Sequence, residues 1–147
     1  MCLACGELGL DADAQRLEKA AVDQGFQDGG MGFWLDPPPV HLALLRGDLE
    51  RVDALLESSG ATWLWSPDGS LYALATKLEA LTALGRTSEA EEPATPLLQP
   101  GTYLEPFALR TLGSVRSDPA LTEQAVERFE ALGLGWHAAR TRALAEA

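Results

Sequence analysis

"RFEALGLGWHAARTRAL", residues 128–144, decides the predicted fold, because it places two glycines between segments rich in alanine, leucine and arginine. Gly133 suits a left-handed helix end, and Gly135 with Trp136 then begins a second helix. Ala138 lies five residues after Gly133, and a small side chain at that point allows two antiparallel helices to pack closely. The stretch therefore predicts a helical hairpin with a tight corner.

Two other junctions share this form: an apolar helix end, a glycine, and a small or branched apolar residue five positions later. They are "ALLRGDLERVDALL" (residues 43–56), with Gly47 and Val52, and "ALTALGRTSEAEE" (residues 80–92), with Gly85 and Ala90. A further glycine, Gly113, falls between the last two junctions. The irregular spacing of these glycines resembles that of degenerate tetratricopeptide-like helix pairs and departs from a strict array, whose period is about 34 residues.

The other segments also favour helices, because apolar residues recur every three or four positions and sustained alternation is absent. A helix of about 14 residues is predicted from Ser70, and a shorter one from Thr87 that ends before Pro93. The predicted buried stripes are Leu10, Ala14, Leu17 and Ala21; Leu71, Leu74, Leu78 and Leu81; and Leu121, Ala125, Val126, Phe129 and Leu132. The predicted boundary residues are Gly25, Pro38, Pro39, Asp48, Pro106, Asp118 and Pro119, and residues 62–65 are a candidate for a short strand.

The composition is that of a folded, acidic chain. With 147 residues, 46% of them hydrophobic, it can bury a continuous core. The formal net charge of −11 repels phosphate backbones and anionic lipids, so we expect contact with neither nucleic acid nor membrane. The absence of an apolar run of about 20 residues or a signal peptide, together with only two cysteines, predicts a cytoplasmic protein.

The arginines of the last third could form a local basic strip, although a solvated face with local ion pairs is the more usual arrangement. These residues are Arg110, Arg116, Arg128, Arg140 and Arg142.

These patterns predict an all-α fold, in which tetratricopeptide-like antiparallel helix pairs stack as a short right-handed solenoid. Residues 1–147 are predicted to form a single helical-repeat domain. Within it, residues 1–36 supply an N-terminal helix and loop, residues 37–99 degenerate helix pairs, and residues 100–147 the best-matched helices.

The motifs "LEPFALR" (104–110), "ERFEALG" (127–133) and "WHAARTRAL" (136–144) carry a resemblance to a known family. Residues 100–147 resemble the C-terminal segment of large bacterial multidomain regulators, in which a cyclase or transcription-factor domain and an ATPase module precede a tetratricopeptide-like region. The resemblance extends to residues 37–99 only in outline and does not cover residues 1–36. It implies a regulatory or protein-binding role, and it transfers no cyclase or ATPase activity, because no phosphate-binding loop is present.

Four side chains were weighed as chemical sites: Cys2, Cys5, His41 and His137. A Cys-x-x-Cys pair can bind zinc or act in redox chemistry, but four zinc ligands are needed and the histidines are distant, so ordinary thiols are favoured. Trp136 is predicted to cover the turn while the imidazole of His137 hydrogen-bonds to the preceding helix end, and His41 is predicted to lie on the edge of a helix. We therefore predict no catalytic residue, no cofactor and no metal site.

Trp34, Trp63 and Trp65 form the candidate partner or ligand surface, since three tryptophans in or beside loops could line a groove. The alternative, which the sequence favours, is that these tryptophans cover the ends of the solenoid.

The predicted function is a non-catalytic interaction or regulatory domain that binds a protein or peptide partner, or the neighbouring domains of a larger signalling or transcription regulator. Self-association is also expected, because a helix stack without polar capping helices leaves an apolar face at each end. The alternative is a small-ligand sensor with a tryptophan-rich pocket.

Overall fold

The structure is a computed structural model that describes residues 11–23, 37–58 and 71–145. These residues are helical and contain no strand, which confirms the predicted all-α class. The candidate strand at 62–65 and the predicted stop at Gly25 lie outside the described residues.

The described part of the chain contains eight α-helices and one 3-10 turn. The α-helices are α1 (Asp11–Asp23), α2 (Pro37–Arg46), α3 (Leu49–Ser58), α4 (Leu71–Ala83), α5 (Thr87–Ala94), α6 (Glu105–Arg116), α7 (Pro119–Ala131) and α8 (Gly135–Ala145); the 3-10 turn is Thr95–Leu97. The chain divides into two compact units, Met1–Thr76 and Lys77–Ala147, and helix α4 contributes residues to each.

In the unit Met1–Thr76, helix α2 packs on helix α3. As predicted, the two helices are joined at Gly47 and Asp48 caps the second, since its Oδ1 accepts the N–H of Arg51 at 3.0 Å. Among the residues of this unit that the structure describes, the buried apolar ones are Val40, Leu42, Ala43, Leu44, Val52, Leu56, Ala73 and Ala75.

In the unit Lys77–Ala147, helix α6 packs on α5 and α7, and α7 packs on α8. Phe107 and Phe129 are fully buried, with ring centroids 4.9 Å apart in an edge-to-face arrangement. The predicted cap is confirmed, because Oδ1 of Asp118 accepts the N–H groups of Ala120 and Leu121. The other buried apolar residues of this unit are Leu78, Ala80, Leu81, Ala90, Ala94, Leu104, Ala108, Leu109, Leu112, Ala125, Val126 and Ala138.

Four helix-to-helix corners in the described part of the chain have the same backbone pattern. Each contains one left-handed residue: Gly47 (φ 68°), Gly85 (φ 67°), Ser117 (φ 51°) or Gly133 (φ 73°). Its N–H donates to the carbonyl three residues earlier, and the next N–H donates to the carbonyl five residues before it. This pair of bonds is the Schellman motif, which satisfies carbonyls left open at a helix end.

The predicted pairing of a glycine corner with a small residue five positions later is confirmed at three corners. Val52, Ala90 and Ala138 are each at most 1% exposed. The fourth corner has no glycine, because its left-handed residue is Ser117. Gly113 instead lies inside helix α6, where a Cβ would come within 2.5 Å of Oγ1 of Thr122 on helix α7.

Two predicted stripes are wrong in part, since Leu71 is 55% exposed and Leu132 is 42% exposed. In helix α4 Ala73, Ala75, Ala80 and Thr76 are buried alongside Leu78 and Leu81, so leucine positions alone do not mark the buried face. Helix α5 continues through Pro93 to Ala94, slightly beyond its predicted end.

Candidate functional site

Most of the sites weighed from sequence lie outside the described residues. These are Cys2, Cys5, Trp34, Trp63 and Trp65. His41 and His137 are described, and the site below is built from the unit Lys77–Ala147.

Helices α4, α6, α7 and α8, with the corner between α6 and α7, line a cleft with a volume of about 840 Å³. Its lining combines buried and exposed charges with small side chains. The lining residues used below are Glu79, Arg110, Ser114, Ser117, Asp118, Thr122, Glu123, Glu127, Glu130, Arg140, Thr141 and Arg142.

A buried ion pair between Arg110 and Glu79 occupies the inner side of this cleft. Arg110 is only 7% exposed; its Nη2 donates to Oε1 of Glu79, and its Nη1 lies 3.4 Å from Oγ1 of Thr141. Its Cζ also lies 5.4 Å from the ring centre of Phe107 and 5.1 Å from that of Phe129. The pair connects α4 with α6, and the hydrogen bond to Thr141 connects α6 with α8. Removing either partner of the pair would leave a buried charge uncompensated, which is strongly destabilising.

His137 lies among aromatic rings next to this ion pair. Its ring stacks on Phe129 at 5.3 Å and meets Phe107 and Trp136 edge-on at 4.9 and 4.8 Å. Its Nδ1 is 3.8 Å from Oε1 of Glu79. The imidazole thus packs among aromatic rings that include Trp136. Its predicted hydrogen bond to the preceding helix end stays a prediction, and Glu79 is a neighbour that the sequence did not suggest.

His41 is 4% exposed, and its ring centre lies 6.2 Å from that of Tyr72. The predicted position on a helix edge is wrong, because the neighbouring residues Val40 and Leu42 are buried as well. This part of α2 is therefore covered on more than one side.

Arg140 is a half-buried cation in the lining of the cleft. Its Cζ lies 5.4 Å from the ring centre of Trp136. Burial lowers the pKa of Arg140; the charge of Glu79 acts to raise it and that of Arg110 to lower it. Since an arginine guanidinium stays protonated at neutral pH despite such shifts, Arg140 presents a positive charge to the cleft.

Helix α7 presents carboxylates to the same cleft through Glu123, Glu127 and Glu130, whose spacing places them along one side of the helix. We call these three residues the acidic stripe. Glu130 accepts a hydrogen bond from Nη2 of Arg142, while Glu123 and Glu127 are exposed and pair with no residue in the described part of the chain.

The predicted arginine strip is a set of local ion pairs rather than a continuous basic surface. Arg110, Arg116, Arg128 and Arg142 pair with Glu79, Glu91, Glu105 and Glu130, respectively. Arg140, in contrast, has neither a salt bridge nor a side-chain hydrogen bond with any residue that the structure describes.

Sequence reasoning did not identify the cleft. Glu79 and Arg110 are 31 positions apart, and no local spacing rule pairs them. Both Arg110 and Arg140 were noted as arginines of the last third, but which one keeps a carboxylate partner depends on how the helices pack.

Within the described ranges, no group of three His, Cys, Asp or Glu residues is arranged to hold a metal ion. The helices in those ranges also lack the combined length and apolar character that a membrane crossing requires. Comparison of the chain with family models, curated proteins and solved structures gave no match. The resemblance to multidomain regulators therefore stays a prediction.

Proposed function

We propose that this chain is a non-catalytic, tetratricopeptide-like interaction module that binds a segment of a partner protein in the cleft between α4, α6, α7 and α8. The cleft itself carries the proposal. Its volume of about 840 Å³ is in the upper part of the range of roughly 300–1,000 Å³ that is usual for small-molecule pockets.

The arrangement of the side chains that line the cleft favours binding of a partner rather than catalysis. The buried Arg110–Glu79 pair holds one side of the cleft in place, so binding does not have to order it. The neighbouring His137 ring packs on Phe129, and the hydroxyl of Thr141 donates to the backbone carbonyl of His137 within α8. The exposed side carries charges that a partner can neutralise.

The wider proposal places the chain in a bacterial signalling or transcription regulator, as its resemblance implies. It is tested by examining whether a cyclase, ATPase or DNA-binding domain is encoded in the same reading frame.

Peptide selection tests the binding function directly. The full chain is immobilised and used to select 12-residue peptides from a random library displayed on phage, and the affinities of the enriched peptides are then measured by fluorescence anisotropy. Ser114→Trp places a large side chain at an exposed position in the cleft lining. We expect it to weaken peptide binding about tenfold or more, which corresponds to roughly 1.4 kcal/mol.

Gln124→Trp is the matched control, because Gln124 is exposed on α7 and lies outside the cleft lining. It should leave binding unchanged. Failure to enrich any peptide, or equal affinities for the two tryptophan variants, would contradict the proposed function.

A further inference from the structure

We infer that the cleft selects a partner segment of mixed charge, in which a side-chain carboxylate binds Arg140 and a lysine or arginine binds the acidic stripe. This inference rests on the proposed function and adds the chemistry of the partner.

The first argument is the state of Arg140. A guanidinium has five N–H donors, and the cation–π contact with Trp136 satisfies none of them. Because the side chain is half-buried, its charge is screened less than that of a fully exposed arginine. A carboxylate matches the planar guanidinium and can accept two parallel hydrogen bonds from it.

The second argument is the comparison with Arg110 and Arg142. These two arginines line the same cleft, and each already has a glutamate partner, Glu79 or Glu130. Among the cleft arginines in the described part of the chain, only Arg140 lacks a carboxylate of its own. A carboxylate, the partner that Arg110 and Arg142 each have, is therefore the ligand that we assign to Arg140.

The third argument concerns the sign of the rest of the segment. Once Glu130 is paired with Arg142, Glu123 and Glu127 leave the acidic stripe with two negative charges. These charges repel a purely acidic segment and attract a lysine or arginine. They also disfavour a phosphate group, which brings about two negative charges where a carboxylate brings one. A segment that carries both signs satisfies both sides of the cleft.

The experiment uses the same phage selection on the full chain, with Arg140→Gln and the double variant Glu123→Gln/Glu127→Gln beside the unaltered protein. Selected peptides are synthesised with amidated C-termini, so that only side-chain carboxylates are measured. The unaltered protein is expected to enrich Asp or Glu at one position and Lys or Arg at another.

Each variant should remove one preference and keep the other. Arg140→Gln should lower the affinity for an enriched peptide tenfold or more. This variant should also bind the enriched peptide no more tightly than it binds an analogue in which the acidic residue is replaced by its amide. The double variant should lose only the preference for Lys or Arg. Arg140→Lys, which restores the charge without the planar fork, should recover part of the affinity.

Arg116→Gln and Glu92→Gln are matched controls, because both residues are exposed and lie outside the cleft lining. Thermal unfolding followed by circular dichroism establishes that each variant is folded. Enriched peptides without an acidic residue, or an unchanged acidic preference in Arg140→Gln, would overturn this inference and leave the proposed function standing. If enriched peptides of any charge bound Ser114→Trp as tightly as the unaltered protein, the proposed function itself would be overturned.

Discussion

The corner between α6 and α7 and the corner between α7 and α8 have the same hydrogen bonds but different residues at the left-handed position. The backbone N–H of Asp118 donates to the carbonyl of Gly113 at 2.8 Å in the first corner, and the backbone N–H of Leu134 donates to the carbonyl of Phe129 at 2.8 Å in the second. The left-handed residue is Ser117 in one and Gly133 in the other.

The difference shows that glycine lowers the cost of this corner without being required for it. A residue with a Cβ is less stable in the left-handed region by roughly 1–2 kcal/mol, and Ser117 adopts this conformation with the same two hydrogen bonds that Gly133 makes. Ser117 also lines the cleft, whereas Gly133 does not. Backbone strain often persists where a residue serves a site, so the serine corner belongs to the candidate site as well as to the fold.

The largest expected effect is a loss of stability on replacing Gly113, near the end of α6, by alanine, compared with the same change at Gly135, at the start of α8. At Gly113 a Cβ would lie 2.5 Å from Oγ1 and 3.0 Å from the backbone nitrogen of Thr122, while at Gly135 nothing lies within 4 Å. Gly113→Ala should therefore lower the free energy of unfolding by about 2 kcal/mol, because α6 and α7 must move apart.

Gly135→Ala is the control and should change stability by less than about 0.5 kcal/mol. Urea unfolding followed by circular dichroism measures both variants. Equal stabilities would mean that the α6–α7 crossing does not depend on a bare Cα at Gly113.

Gly133→Ala tests the glycine corner by giving it the Cβ that Ser117 already has. The φ of 73° makes any side chain there unfavourable, although the space around it is open. We expect a loss of about 1 kcal/mol in the free energy of unfolding, measured by the same urea titration. An unchanged urea midpoint would show that the backbone accommodates a Cβ at position 133 without loss of stability. The two corners would then not differ in their need for glycine.

Asp118→Ala tests whether the serine corner depends on its cap. Asp118 accepts the N–H groups of Ala120 and Leu121, while the equivalent position of the other corner is the apolar Leu134. The substitution should cost about 1 kcal/mol of stability. Asp118→Asn retains an accepting oxygen and should lose much less; a similar loss in both variants would point to the charge rather than the hydrogen bonds.

The smallest expected effect is a gain in stability from Ser117→Gly. Removing the Cβ relieves the left-handed strain, but glycine also has more conformational freedom to lose on folding, so the net gain should be about 0.5 kcal/mol. Ser117→Ala keeps the Cβ and should leave the unfolding midpoint near that of the unaltered protein. Thermal and urea unfolding distinguish the three proteins, and a destabilised Ser117→Gly would contradict the proposed strain.

The sequence predicted the features that depend on short-range rules. The corners at Gly47, Gly85 and Gly133 each follow from a glycine after an apolar helix end, and the cap at Asp118 from an aspartate before a proline. The all-α class followed for the same reason, because helix periodicity extends over only a few residues.

Other features required the packed structure. No sequence rule favours a serine in the left-handed conformation at Ser117, and only the contact with Thr122 assigns Gly113 to a helix crossing. The exposure of Leu71 likewise depends on which side of α4 is covered by neighbouring elements.

By itself, the sequence determined that this chain forms helices, where three of its corners lie, and that its surface is acidic. Only the tertiary structure decided that Arg110 pairs with Glu79 while Arg140 keeps its charge available to a cleft. The physical reason is distance along the chain: corners and caps form between residues a few positions apart, whereas a buried ion pair between residues 31 positions apart exists only once the helices have packed.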